Sequence, residues 1–153
     1  LEQVEELAAA IDAEQGDPYP GKELFLARCA ACHKLFQDGG AIGPDLTYYQ
    51  REDTENLALA ILRPSAEIRE GFENTLIRTK DGRAINGFLA EQNNQSVALR
   101  GVDGATTVVP RDHIAQLQVL GRSLMPSGLL DDLDHQAIRD LFAYLRSVQP
   151  LNN

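Results

Sequence analysis

The sequence predicts a mainly α-helical fold carrying one small antiparallel β insertion. Two observations carry that expectation. Apolar residues recur at helical spacing on either side of residues 74–120, and within that span the period falls to two. With 153 residues, 43% of them apolar, the chain has the composition of a globular protein able to bury a core, as one domain or one domain with a sizeable insertion.

In chain order, Leu1, Val4, Leu7, Ala8 and Ile11 set an amphipathic first helix, with Glu2, Glu5, Glu6 and Asp12 elsewhere on it. Residues 1–15 are therefore read as an N-terminal helix or a linker. The run from Gln15 to Gly21, with Pro18 and Pro20 inside it, breaks that helix and restarts the chain. A second helix is expected over Lys22–Ala31, where Gly21, Phe25 and Cys29 share a face at four-residue steps. Asp53 caps a third helix reaching Arg63, with Leu57, Ile61 and Leu62 as its apolar stripe, and Pro64 ends it. Strands are expected at Asn74–Thr79, Arg83–Glu91, Ser96–Arg100, Thr106–Pro110 and Ile114–Leu120. Lys80-Asp81-Gly82, Asn93-Asn94 and Asp103-Gly104 separate them, as in a meander or partial barrel. A last helix, opened by Asp134, carries Ile138, Leu141, Phe142, Leu145 and Val148 on one face. The helical part is thus expected to be discontinuous, residues 16–73 and 121–150, with 74–120 inserted.

The chemistry is concentrated at Cys29-Ala30-Ala31-Cys32-His33, which holds the only two cysteines of the chain. Two thiols three residues apart share one side of a helical turn and can both reach one porphyrin edge. The histidine that follows is placed to face the iron, and this is the pattern of covalent haem attachment. Competing readings need features that the sequence lacks. A redox dithiol calls for a preceding strand and a helix opening at the first cysteine. Structural zinc needs two further ligands with local spacing, and only His113 and His135 remain, far apart in the chain. One haem c, with its iron, is the expected cofactor.

A ligating histidine normally gives its second N–H to a nearby acceptor. In Gly43-Pro44-Asp45-Leu46, Pro44 offers a carbonyl, no N–H and a rigid φ, so it is the candidate acceptor for His33, with Leu46 in the same cofactor-binding loop. Tyr48, Tyr49 and Arg51 are candidate donors to haem propionates, or else solvated loop residues. Met125 is the only methionine and sits in a Pro- and Gly-containing loop, not on an apolar helix face. It is the candidate second axial ligand. His113, beside Asp112, reads as polar surface. No catalytic residue is assigned.

Together these residues resemble a class I cytochrome c. Gly21, Phe25, Cys29, Cys32 and His33 follow the order G-x-x-x-F-x-x-x-C-x-x-C-H, ahead of the Gly43–Leu46 loop, a Met-Pro loop and a helix reading Asp140-Leu141-Phe142-Ala143-Tyr144-Leu145. More narrowly, Ile61-Leu62-Arg63-Pro64-Ser65, Lys80-Asp81-Gly82-Arg83 and Ser123-Leu124-Met125-Pro126 resemble the planctomycete-type haem-binding domain. The resemblance spans residues 16–148. It implies a mainly α cytochrome c fold, three to five helices around haem, with a small antiparallel β insertion between the third helix and the methionine loop. It also implies thioether bonds at Cys29 and Cys32, His33 and Met125 as axial ligands, and Pro44 as the acceptor for His33. Gly21, Phe25, Leu141 and Tyr144 would then join the first and last helices. Domains of that family often follow a propeller-like sugar or alcohol dehydrogenase domain, or helical repeats, in one long polypeptide, so the implied electron donor is a fused or partner dehydrogenase.

The expected function is one-electron transfer with no enzymatic step, because two axial ligands close the iron. The alternative is a small-ligand sensor or peroxidase-like site with an open distal position, although the sequence has no clear distal acid–base pair. A net charge of −9 argues against nucleic acid and anionic membrane surfaces, and suits docking on a basic or neutral protein patch. No run reaches the length of a membrane-spanning helix. Haem c is attached outside the bacterial cytoplasmic membrane, so a periplasmic or otherwise extracytoplasmic location is expected. The N-terminus shows no secretion signal and Leu1 is not an initiator methionine, so the chain is expected to be a processed mature protein or a piece of a longer one, the piece being the favoured reading. The strand segment is too large for a mere loop, and docking, dimerisation or shielding of a haem edge are the roles open to it.

Overall fold

Three helices begin at an aspartate. Asp17 accepts from the Tyr19 amide, Asp53 from Glu55 and Asn56, and Asp134 from Ala137, so each occupies N–H groups that a first helical turn leaves free. The computed structural model describes residues 2–66, 68 and 72–152. Among these, α1 spans Glu2–Asp12, α2 Pro18–Arg28, α3 Thr54–Leu62 and α4 His135–Leu145. Leu1, placed on the first apolar stripe by its spacing, lies outside the described residues.

Two helix boundaries depart from expectation. α2 opens at Pro18, inside the stretch read as a breaker, because a proline in the first turn lacks only an N–H that would have no helical partner. It also closes at Arg28, before the cysteine motif. α4 stops at Leu145, and Val148 is 90% exposed, not on a buried stripe. Its last carbonyl is taken by a side chain from another element, described below.

The chain divides into two compact units, residues 1–66 with 127–153 and residues 67–126. In the first, α2 packs on α4 at a glycine. A Cβ on Gly21 would lie 1.8 Å from the Asp140 carbonyl oxygen, so only a bare backbone fits there. Beside that contact Phe25 and Tyr144, both fully buried, meet with ring centroids 5.4 Å apart. α1 buries Val4, Ala8 and Ile11 and packs on α3 and α4. Asp12 accepts from Thr54 Oγ1 at 2.9 Å and from Arg146 Nη1 at 3.1 Å, which ties its C-terminal end to both helices. A two-residue hairpin, β1 Lys34–Leu35 with β2 Asp38–Gly39, belongs to the same unit.

The second unit is a five-stranded antiparallel sheet of β3 Asn74–Thr79, β4 Ala84–Gln92, β5 Ser96–Arg100, β6 Thr106–Pro110 and β7 Ile114–Val119. Its order is β6-β5-β4-β3-β7, so consecutive β6 and β7 are the two edges. Only Arg111–His113 connect them. That link reaches at most about 14 Å, whereas four strand spacings in a flat sheet span about 19 Å. The sheet must curl, and the result is a partly open barrel. Hydrogen bonds from Arg111 N to Gln95 O (2.8 Å) and from Lys80 N to His113 O (2.9 Å) hold the link at both rims. Ile77, Val97, Leu99 and Val109 fill the interior, with Ile85, Leu89 and Ile114 against them.

This corrects the expected fold class. Among the described residues helix, 3-10 turns included, accounts for 33% and strand for 24%, so the protein is not the mainly α cytochrome fold anticipated from its helices. The physical reason is that the strands close a core of their own, which raises them from an appendage to a second folded body.

Candidate haem site

The residues after α2 form one further turn. Cys29 N and Ala30 N both donate to Phe25 O, at 2.8 and 2.9 Å, and Cys32 N and His33 N both donate to Cys29 O, at 3.2 and 2.9 Å. The motif therefore sits on a separate turn and not on the helix itself, but the two thiols still stand one turn apart. Both cysteines are free and half-buried. Burial pushes the Cys29 thiol up to about 11, against the opposing pull of Arg28.

The next loop folds back onto this turn. Gly40 N donates to Ala30 O and Gly43 N to Cys32 O, each at 2.7 Å. Gly39 has φ +117°, and a Cβ there would lie 2.0 Å from His33 O. At Gly43 a Cβ would lie 2.8 Å from His33 Cε1, so the imidazole uses the space that the missing side chain leaves. His33 Nδ1 is 2.9 Å from Pro44 O. A carbonyl can only accept, so Nδ1 carries the hydrogen, and Nε2 is the nitrogen left without a partner from this loop.

Past Pro44 the loop is set by side-chain hydrogen bonds. Asp45 accepts from Thr47 N at 2.9 Å, which holds its carboxyl below the usual range and starts the single 3-10 turn Leu46–Tyr48. Thr47 Oγ1 accepts from Phe36 N at 2.7 Å. Phe36 has φ 58°, the left-handed region that costs about 1–3 kcal/mol for such a residue. Leu46 is half-buried, Tyr49 exposed and Tyr48 90% exposed.

Arg51 is buried. Its Nη1 donates to Leu145 O at 2.5 Å and to Ser147 O at 2.6 Å, and its guanidinium lies 5.3 Å from the centre of the Phe36 ring. The first of these is the last carbonyl of α4 noted above, and the second lies two residues past the helix. The Nε of Arg51 is buried with no hydrogen-bond partner. Burial draws the guanidinium pKa below its ordinary value.

Arg28, the last residue of α2, reaches the segment before α4. It pairs with Asp132 through both guanidinium nitrogens, at 2.5 and 2.8 Å, and donates to Leu129 O at 2.9 Å. The pair holds the Asp132 carboxyl down at about 2. A carboxyl whose folded pKa is depressed stabilises the fold above its unfolded value and loses that contribution as pH falls through the folded one. Acid titration should therefore loosen this segment between about pH 4 and pH 2, and Asp132→Asn should remove that step. Amide exchange at Leu129–Leu133 measures it. A substituted chain that keeps the same acid step would disprove the assignment.

Cys29, Cys32, His33 and Pro44 thus share one turn and the loop against it, with Leu46 following and Arg51 drawn to the end of α4. Met125 belongs to the other compact unit, where its N–H donates to Ser123 Oγ at 3.1 Å. His113 lies exposed on the β6–β7 link. Among the described residues no three His, Cys, Asp or Glu side chains converge as a metal cage would require, and no helix is long and apolar enough to cross a membrane. Phe36, Thr47 and Asp132 escape sequence reading. Only the Asp45-x-Thr47 turn signal marks one of them in advance.

Two thiols on one turn, and behind them an imidazole oriented by a proline carbonyl, define a covalent haem protein. A family model described as Cytochrome c matches residues 19–98, just over half of the chain, and the chain belongs to that family. The match runs from α2 through the cysteine turn, the Pro44 loop and α3 into β5. No curated protein matches the chain. Membership brings a covalently bound haem c with iron, a haem-based electron-transfer role and a redox partner. Cytochrome c domains are commonly extracytoplasmic electron carriers.

Proposed function

We propose that this chain relays single electrons through a haem c joined by thioether bonds to Cys29 and Cys32, with His33 and Met125 as axial ligands. The observation that carries this reading is the His33 Nδ1 contact with Pro44 O, 2.9 Å long, which frees Nε2 for iron. Three features of the polypeptide fit the group. The thiols are one turn apart, Gly43 leaves the imidazole its space, and the buried Nε of Arg51 is a donor for which the polypeptide supplies no acceptor. A haem propionate is such an acceptor. When bound, the haem supplies a reversible Fe(II)/Fe(III) couple, and histidine–thioether ligation sets it at a relatively high potential.

The residues around it orient and shield. Pro44 orients the imidazole through Nδ1. The segment held by Arg28 and Asp132 lies beside Cys29. Leu46, Tyr48 and Arg51 complete the proposed cofactor-binding set. The chain fits the planctomycete-type domain, with the strand unit inserted ahead of the methionine loop, and its proposed donor is a fused or partner dehydrogenase outside the cytoplasmic membrane, in the periplasm. In support, the sheet falls between α3 and α4 in the chain.

Met125 is the testable member of the set. The oxidised protein should show the weak sulfur-to-iron band at the red end of the visible spectrum, and Met125→Ala should abolish it while binding carbon monoxide rapidly after reduction. A wild-type spectrum without that band would falsify the distal assignment.

A further inference from the structure

We propose that Phe36 is a positioning residue for the haem, whose ring keeps water from the Arg51 guanidinium and so reserves the free Nε for a propionate. The inference rests on the reading of Arg51 as a propionate donor. Phe36 occupies a place where a phenylalanine is costly. It is the first of the two residues, Phe36 and Gln37, that join β1 to β2, and its φ of 58° is one that a glycine adopts without strain. The backbone cannot relax by moving, because its neighbours are fixed. Leu35 is fully buried, Phe36 N donates to Thr47 Oγ1 at 2.7 Å, and Gly39 is pressed against the His33 carbonyl. Strain held in place this way points to a use for the side chain. That side chain lies over Arg51, with the guanidinium carbon 5.3 Å from the ring centre, within range of a cation–π contact.

The other contacts of Arg51 show what the ring adds. Nη1 donates to Leu145 O and Ser147 O, and Nη2 donates to Thr47 O at 3.4 Å. These anchors use the two terminal nitrogens. Nε is left as a buried donor with no partner among the described residues. A guanidinium is flat and all its donors lie in one plane, so bonds made in that plane leave both faces open to water. The Phe36 ring covers one of those faces. A dry donor without an acceptor destabilises the fold, so drying Nε gains nothing if Arg51 serves only to close α4. It gains where a carboxylate of the cofactor accepts, because a charge-assisted hydrogen bond is strongest with water excluded.

The test is solvent exchange of the Arg51 Nε–H, followed by NMR of the nitrogen-labelled, haem-loaded protein, reduced and under carbon monoxide. That state is diamagnetic whether Met125 or carbon monoxide holds the sixth position, so the result does not depend on the distal ligand. Wild type should give a slowly exchanging Nε–H signal, identified by its absence in Arg51→Lys. Phe36→Leu keeps the bulk and the left-handed strain but has no π face, and Phe36→Gly removes both ring and strain. Each should speed the exchange at least about tenfold. Phe36→Tyr keeps the ring and should retain wild-type protection. The Arg146 amide, bonded to Phe142 O at the end of α4, should exchange at the same rate in all four proteins, which separates a local loss at Nε from a loosened fold. Protection that persists undiminished in Phe36→Leu and Phe36→Gly leaves the propionate contact standing and overturns the role of the ring. A wild-type Nε–H that exchanges like that of an exposed arginine removes the contact itself, and this inference with it.

Discussion

Gly21→Ala is expected to destabilise the helical unit by about 2–3 kcal/mol. Two effects oppose each other. Alanine is a better helix former than glycine by about 0.5–1 kcal/mol. Against this, its Cβ would stand 1.8 Å from Asp140 O and 2.5 Å from the carbonyl carbon, both backbone atoms inside α4 that cannot rotate aside. Overpacking of a core contact costs about 1–3 kcal/mol, sometimes more, so the clash wins. The next α4 contact is under the same constraint, since a Cβ on Gly16 would meet Arg139 O at 2.1 Å. Parting the helices would also strain the Phe25–Tyr144 contact that closes the core beside the cysteine turn. Guanidinium unfolding followed by helix signal measures the loss. Leu26→Ala, on the exposed side of α2, is the control and should stay within about 0.5 kcal/mol. Equal stabilities for Gly21→Ala and the control would show that the helices can part without cost.

Arg51→Ala should cost about 3 kcal/mol. The guanidinium makes two short charge-assisted hydrogen bonds to the carbonyls of Leu145 and Ser147, each worth about 1.5–3 kcal/mol, and its loss strands those acceptors. The partial return of water to the vacated space keeps the total below the sum. Phe36 loses the cation beside its ring while its own backbone remains in the left-handed region. Arg51→Lys should recover little, because a point charge cannot both span two carbonyls and stack on a ring. Unfolding midpoints of the three proteins decide this. Full rescue by lysine would mean that charge alone matters and that the forked geometry does not.

The amount of this site that could be read in advance follows the distance over which its forces act. Cys29, Cys32 and His33 stand out along the chain because covalent haem attachment imposes a spacing within five residues, and the structure sets them on one turn. Pro44 was legible because an acceptor for the imidazole must lie nearby in the chain, and proline marks one by its chemistry. From the sequence, Arg51 is a candidate propionate donor or a solvated loop residue. In the structure it is buried against the end of α4, and nothing in its neighbourhood along the chain announces a partner more than ninety residues away. Phe36 and Asp132 were invisible for the same reason.

The strands show the same division. Alternation and turn residues placed β3, β5 and β6 correctly, yet the position of β7 beside β3 follows from a three-residue link too short to cross a flat sheet. That closure gave the strands a separate core and overturned the mainly α expectation. The sequence by itself determined the cysteine–histidine turn, the strand segments and the caps at Asp53 and Asp134, because these depend on covalent spacing, backbone period and side chains bonding their own neighbours. Only the tertiary structure decided that a glycine is obligatory under Asp140 and that a buried arginine ends the last helix. Those outcomes depend on which distant backbone atoms come within a few ångströms, and no local pattern encodes that.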